Sequence, residues 1–356
     1  MRILKIFAFC WLVSSYAGCE ALTVSSGITL KNYRYNSNTS INVLTVDPSR
    51  IKMSVVRAQD VGSGLQTVAD MAKHFSALAA INGGFFRIKD PGTSLLPAGV
   101  LKINNQWHGI AYKPRGAIGW DPESNLVLID ILQTESKLKI NNRAMPINAI
   151  NTILGMNRAS LFSDSYVSSV NIKQNLALLI NNQQVTRIFS EGEASVEPGS
   201  YIYYANGTLK ALVGTVQVGD PVDVDIQIIP QLNKQTTGSW NKVPFVLGGG
   251  PLLISEGTKI TDFSQEKMLD NFIHGKYART AIGILANKQL VFVVTEYTIA
   301  PETFGLSIAE LADFMQSLGC VSALNLDGGG SSAMYAVGQN LAPGRPVADA
   351  LLVTSR

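Results

Sequence analysis

The stretch Ser307–Ser332, SIAELADFMQSLGCVSALNLDGGGSS, reads as a helix, a buried strand and a polar glycine turn in immediate succession. Ser307 followed three residues later by Glu310 is the capping-box pattern, in which two otherwise orphaned helix N–H groups are satisfied reciprocally. Leu311, Phe314, Met315 and Leu318 form an apolar stripe at helical spacing, and Gly319 ends it. The apolar run Val321–Leu326 then delivers Asp327 to the end of a strand, ahead of Gly328, Gly329, Gly330, Ser331 and Ser332.

The same plan occurs once more upstream. Leu65, Val68, Ala69, Ala72, Phe75 and Ala79 fall on one helical face. A short apolar run, Leu78–Ile81, follows and ends in Asn82-Gly83-Gly84-Phe85-Phe86. The repetition predicts two loops facing one cleft and carries no implication of duplication. Elsewhere short runs rich in β-branched and aromatic residues predict strands at Ile41–Val46, Ile51–Val56, Leu126–Leu132, Leu176–Ile180, Tyr201–Tyr204, Val222–Ile228, Ala281–Leu285 and Leu290–Thr295. Turn formers such as Asp47-Pro48 and Asn206-Gly207 bound them. Strands dominate without regular alternation with helices. The expected fold is therefore α+β: antiparallel or mixed sheets with a few helices packed on them, in one domain.

Composition permits this. Of 356 residues 46% are hydrophobic and 15% charged, enough to build a core and too apolar for disorder. A net charge of +3 with scattered Lys and Arg argues against a nucleic-acid partner. His74, His108 and His274 lack ligand spacing. Residues 1–21 read as a signal peptide, with Arg2 and Lys5 ahead of the apolar Ile6–Val13, so a secreted or periplasmic location is expected for residues 22–356. Cys19 after Ala17-Gly18 resembles a lipoprotein site, but Tyr16 stands where Leu is usual, and lipid anchoring is the minority reading. No later segment has the roughly 20 apolar residues of a membrane span. Cys320 is the one cysteine sure to persist past that leader, so no internal disulfide is expected.

The chemistry-bearing residues sit at glycine turns. Three glycines after Asp327 let backbone N–H groups approach a ligand, and successive N–H groups form anion nests, with Ser331 and Ser332 adding hydroxyls. A plain turn needs only one glycine, and the missing Lys excludes a Walker loop. Asn82, Gly83 and Gly84 suit a sugar hydroxyl, or merely a turn. Gly248-Gly249-Gly250-Pro251 suits close backbone approach or a strand end. Arg279-Thr280-Ala281-Ile282-Gly283 brings a guanidinium fork suited to phosphate to a strand start. If strands 281–285 and 290–295 form a hairpin, Glu296 lies at the same sheet end as Arg279, as a candidate second carboxylate beside Asp327.

Taken together, Ala80–Phe86, Gly248–Pro251, Arg279–Gly283, Asp327–Ser332 and Arg345-Pro346-Val347 resemble, in order, the motifs of the phosphodiester glycosidase family, from about residue 65 to the C-terminus. Residues 121–241 match no motif of it. Where family members often carry an Asp-Gly-Arg-like segment, this chain has Thr295-Glu296-Tyr297-Thr298, with a glutamate and no arginine. The resemblance implies a hydrolase that cleaves a sugar C1 from a phosphodiester, of the kind often labelled exopolysaccharide-related among exported bacterial members. It implies phosphate binding by Arg279 and the Gly328–Ser332 amides, with Thr280, Gly249 and Gly250 in the binding surface. Asp327 and Glu296 become base, nucleophile or acid, and Asn82 orients sugar hydroxyls. The implied partner is a sugar-phosphate or polysaccharide, and no cofactor is required. Two alternatives remain: a non-catalytic carbohydrate-binding or envelope-assembly protein, and a metal-assisted phosphodiesterase in which Asp327, Glu296 and Asn82 hold a divalent cation. A Ser-His-Asp hydrolase is disfavoured, because Ser331 and Ser332 are not in a nucleophile elbow and no His has an evident partner.

Overall fold

The computed structural model describes residues 16–18, 21–35, 39–60, 64–87, 96–111, 113–141, 143–164, 168–296 and 305–356. The expected leader falls largely outside these, as do Tyr297 and Thr298. Tyr16–Gly18 pair antiparallel with Tyr33–Tyr35.

The scaffold is strand-rich α+β, as expected. A nine-stranded sheet runs from Ile28–Tyr35 and Thr39–Val46 through Leu290–Thr295, Thr280–Leu285 and Cys320–Asn325 to Leu252–Ser255. Thr280–Leu285 and Leu290–Thr295 do form the hairpin predicted for them. Against one end lies a five-stranded sheet, ordered Gln339–Ala342, Met334–Ala336, Ala79–Asn82, Asp349–Ser355 and Ile51–Arg57. A seven-stranded sheet centred on Leu126–Ile140, Arg115–Asp121 and Phe245–Gly248 completes the core. Nearly every pairing is antiparallel; Ala149–Ile150 runs parallel to Ala159–Ser163.

Strand alternation divides the nine-stranded sheet into two faces. Leu44, Phe292, Ile282 and Leu324 point towards the other two sheets and pack with Ile81, Leu351, Ile118 and Leu247. Val43, Val291, Val293, Ala281 and Ala323 face the helix Ile308–Ser317 and its Leu311, Phe314 and Met315. A ten-residue helix is marginal alone; burying such side chains at roughly 1.5–3 kcal/mol each holds it. Both halves of the capping box are formed, and Gly319 adopts φ 87° just past the end.

Two elements differ from expectation. The first helix covers Val68–His74 only. Thr67 caps it by accepting from the Asp70 N–H, and Ser76 at φ 51° stops it, so Ala79 already belongs to the next strand. Leu126–Ile140 is a single 15-residue strand, longer than its apolar half. Its second part alternates polar Glu135, Lys137 and Lys139 with buried Leu138 and Ile140, which hides it from a reading based on apolar runs. Residues 121–241 thus complete the seven-stranded sheet and build a further five-stranded sheet with its own core around Leu161, Leu178 and Tyr203.

Candidate active site

Asn82 ends a central strand of the five-stranded sheet, where it pairs with Ala350. Its side chain is fully buried, at 0% exposure. Nδ2 donates to the Asp327 carbonyl at 2.8 Å, while Oδ1 accepts from the Thr280 hydroxyl at 2.7 Å and the Ala333 N–H at 3.1 Å. One amide therefore ties together three segments distant in sequence, and a buried polar group is stable only when so satisfied. This corrects the role expected of Asn82 and Thr280. Both are occupied in shaping the glycine turns, and the Asn82 amide has nothing left for a sugar hydroxyl.

Asp349 begins the neighbouring strand and was not recognised from sequence. It is 2% exposed, and its Oδ1 accepts the Gly84 N–H at 2.9 Å, while its carbonyl accepts the Gly83 N–H at 3.1 Å. A Cβ on Gly83 would stand 1.9 Å from that Oδ1, and one on Gly84 would stand 2.6 Å from the Gly248 carbonyl. The Asn-Gly-Gly sequence is thus the condition for a carboxylate packed against the backbone. Burial pushes the Asp349 carboxyl up to about 7; the Gly84 N–H opposes this, the charge of Asp327 adds to it and Arg57 opposes it. Arg57 lies opposite Asp349 in register, and its Nη1 is 3.2 Å from His108 Nδ1. Burial, then the Arg57 charge, holds His108 down at about 3, so it is neutral and accepts from Arg57.

Asp327 itself is 9% exposed. Burial raises its pKa, opposed by the Ser331 hydroxyl, the Gly328 N–H and Arg345. Arg345 Nη2 is 4.0 Å from Asp327 Oδ2, and Nε donates to Ser331 Oγ at 3.0 Å. The guanidinium also lies over the Phe86 ring at 5.4 Å, yet its side chain stays 46% exposed. It is therefore a cation at the rim of the carboxylate, with reach towards a ligand.

The structure reassigns the other expected phosphate ligands. Arg279 is 0% exposed, with Nε on the Leu306 carbonyl and Nη2 on the carbonyls of Phe272 and Gly275, each at 2.8 Å. It lies between the rings of Phe272 and Tyr277, and burial lowers its pKa to about 10. Successive residues of a strand point to opposite faces, so with Thr280 on Asn82 the Arg279 side chain turns away. The expected anion nest is also largely filled. Gly328 N–H bonds Asp327 Oδ1, Gly329 N–H bonds the Ala278 carbonyl, and the Ser331 and Ser332 N–H groups bond Gly328 and Gly329. Among the described residues Gly330 alone keeps an unbonded N–H in this turn. Glu296 is half-buried with its N–H on Ser40, and no hydrogen bond or ion pair joins it to Asp327 among the described residues. The carboxylate that Asp327 perturbs is Asp349.

Gly249 and Gly250 belong to the scaffold of the same site. Gly250 N–H donates to the Asn325 carbonyl at 2.7 Å, and Asn325 Nδ2 returns a bond to the Gly250 carbonyl at 2.8 Å. A Cβ on Gly249 would sit 2.4 Å from the Asn325 carbonyl. Gly84, Gly248, Gly249 and Asp349 line one cavity of about 250 Å³, together with Phe85 and Phe272. The cation site expected from Asp327, Glu296 and Asn82 does not assemble, because Asn82 Oδ1 is spent on Thr280 and Ala333. Among the described residues no three His, Cys, Asp or Glu side chains converge for a metal ion, nor is any helix long and apolar enough to cross a membrane.

The α+β scaffold thus holds two buried carboxylates, Asp327 and Asp349, on glycine turns, with Asp349 lining a small cavity. The chain belongs to the phosphodiester glycosidase family, whose sequence profile matches residues 174–354. The match starts inside the 121–241 segment and leaves Ala80–Phe86 outside it. The fold is similar to that of a hypothetical protein of Synechocystis, with TM-score 0.80, 22% identity and 95% of this chain covered. The chain spans 64% of the length of that protein. It is also similar to a presumed exported protein of Burkholderia pseudomallei K96243, with TM-score 0.75, 21% identity, and coverage of 89% of this chain and 74% of the other. The catalytic domain of zebrafish N-acetylglucosamine-1-phosphodiester alpha-N-acetylglucosaminidase, auto-inhibited by its pro-peptide, aligns at TM-score 0.49 and 13% identity over 97% of this chain and 89% of the other. Comparison with curated proteins gives no match.

Proposed function

We propose that this protein is an exported hydrolase that cleaves the bond between a sugar C1 and the oxygen of a phosphodiester. The observation that carries the reading is the Asp327–Asp349 pair, in which two carboxylates are set in different surroundings and the charge of Asp327 adds to the cost of ionising Asp349. Asp349, protonated to about pH 7 and reaching the cavity, serves as the hydrogen donor. Asp327, beside Arg345, serves as the base or nucleophile.

Rupture of the C1–O bond sends its electron pair to the phosphate oxygen, a leaving group already stable as an anion. Little proton transfer to it is needed, and charge stabilisation by Arg345 and the Gly330 N–H counts for more. Water adds at C1 and its proton passes to Asp327, giving free sugar and a phosphomonoester. Export is supported by the leader-like residues 1–21 and by the likeness to an exported protein. The test is to offer sugar-1-phosphodiesters, GlcNAc-1-phospho-methyl ester among them, and to identify the products. Free sugar with methyl phosphate is expected; release of sugar-1-phosphate overturns the assignment.

A further inference from the structure

Beyond the carboxylate cavity the cleft continues into a second compartment of about 370 Å³. The two compartments share Pro97, Ala98, Gly99 and Arg115 as a common wall. The second differs in character from the first: Arg87, Lys113 and Arg115 line it and, among the described residues, no carboxylate does. Arg87 and Lys113 are exposed and form no ion pair among the described residues. Arg115 is half-buried, donates to Met268 Sδ at 2.7 Å and is partly balanced by Glu266. Glu266 in turn spends its two oxygens on the N–H groups of Gly116 and Leu252.

The compartment also holds donors without acceptors. The Thr152 hydroxyl is buried and has no hydrogen-bond partner, in a residue only 8% exposed. Asn148 uses Oδ1 to accept the Ala159 N–H, which leaves its NH2 group as a donor. Unpaired cations and an unanswered buried hydroxyl in one recess describe a receptor for an anion with several acceptor oxygens.

We infer that this compartment binds a second phosphate of the substrate, carried on the group beyond the scissile phosphodiester. The inference rests on the glycosidase reading above and narrows its substrate class to sugar-phosphate chains with at least two phosphates. Arg115 stands at the junction and Arg87 and Lys113 at the outer wall. A monophosphodiester with a small alkyl group fills the first compartment only.

The experiment compares kcat/KM for a substrate with two phosphates, a sugar-1-phospho-glycerol-phosphate, against the methyl ester, in wild type and in Arg87→Gln, Lys113→Gln and the double variant. The expected result is a preference for the two-phosphate substrate that falls about tenfold for each cation removed. Equal ratios in wild type and variants, with both substrates turned over, overturn the inference and leave the glycosidase reading standing. Failure of both substrates to react counts against that reading, and a second measurement then decides the inference alone. Inorganic pyrophosphate is titrated calorimetrically into wild type and the double variant. Binding that weakens on substitution supports the compartment as an anion site; no binding, or binding indifferent to both substitutions, overturns it.

Discussion

Asp349 Oδ1 accepts the Gly84 N–H at 2.9 Å in a space that the missing Cβ of Gly83 leaves open, at 1.9 Å from the same oxygen. Gly83→Ala forces a methyl group into a buried carboxylate with no flexible neighbour to yield. The expected cost is about 1–3 kcal/mol of stability from overpacking, with turnover lost because Asp349 must move. Urea unfolding, together with activity measured at a temperature where the variant is still folded, separates the two effects. An unchanged variant in both assays refutes the arrangement.

The titration of Asp349 links site and stability. Its folded-state value of about 7 lies above the ordinary 3.8, so the folded protein holds a proton that the unfolded chain releases. Stability from this group is therefore fullest below the ordinary value and declines as pH rises through the interval up to about 7. Asp349→Asn has no proton to lose, so its stability gains on wild type as pH rises over that interval. Activity that depends on protonated Asp349 falls above pH 7 in wild type, and in the variant that limb is gone and kcat/KM drops roughly tenfold, a modest loss because the leaving group needs little proton transfer. Because Asp327 helps to raise this pKa, Asp327→Asn lowers it, which a carboxyl NMR titration reads directly. A titration that stays in place in Asp327→Asn disproves the coupling.

Asn82→Ala leaves the Thr280 hydroxyl, the Ala333 N–H and the Asp327 carbonyl without their buried partner. A loss on the order of 3 kcal/mol is expected. Since the amide positions the Asp327 turn rather than the substrate, kcat falls more than KM rises. A large rise in KM at constant kcat points instead to direct sugar contact.

Sequence reading reached the fold where a pattern had a local cause. The Ser307–Glu310 capping box, the apolar stripe after it and the Asp327 turn are all formed as expected. Asp327 and its glycines stand out in the sequence, since three consecutive glycines need a reason. The site was not legible at Asp349. In sequence Asp349 is an ordinary acid between Ala348 and Ala350; only the sheet order that sets Asp349–Ser355 beside Ala79–Asn82 buries it under Gly84. Arg279 misled for the converse reason. A strand-start arginine suits an exposed phosphate ligand, and its inward course depends on the carbonyls of Phe272, Gly275 and Leu306, set by chain that packs from elsewhere.

The two arginines give the last prediction, because they exchange the roles that sequence suggests. Arg279→Lys retains charge but not the fork: one ammonium cannot reach the Leu306, Phe272 and Gly275 carbonyls together. At about 1.5–3 kcal/mol for a hydrogen bond from a charged donor, losing even one of the three is a marked destabilisation. Substrate affinity in the folded fraction is kept. Arg345 is nearly half exposed and is held by one bond to Ser331 and a 4.0 Å approach to Asp327. Arg345→Gln therefore leaves thermal stability within about 0.5 kcal/mol of wild type. Removing the rim cation instead weakens stabilisation of the departing phosphate, and kcat/KM falls roughly 10²-fold. Melting temperatures and kinetics on one sugar-1-phosphodiester discriminate the cases: the reverse pattern, a stable Arg279→Lys with lost affinity, returns the phosphate to Arg279.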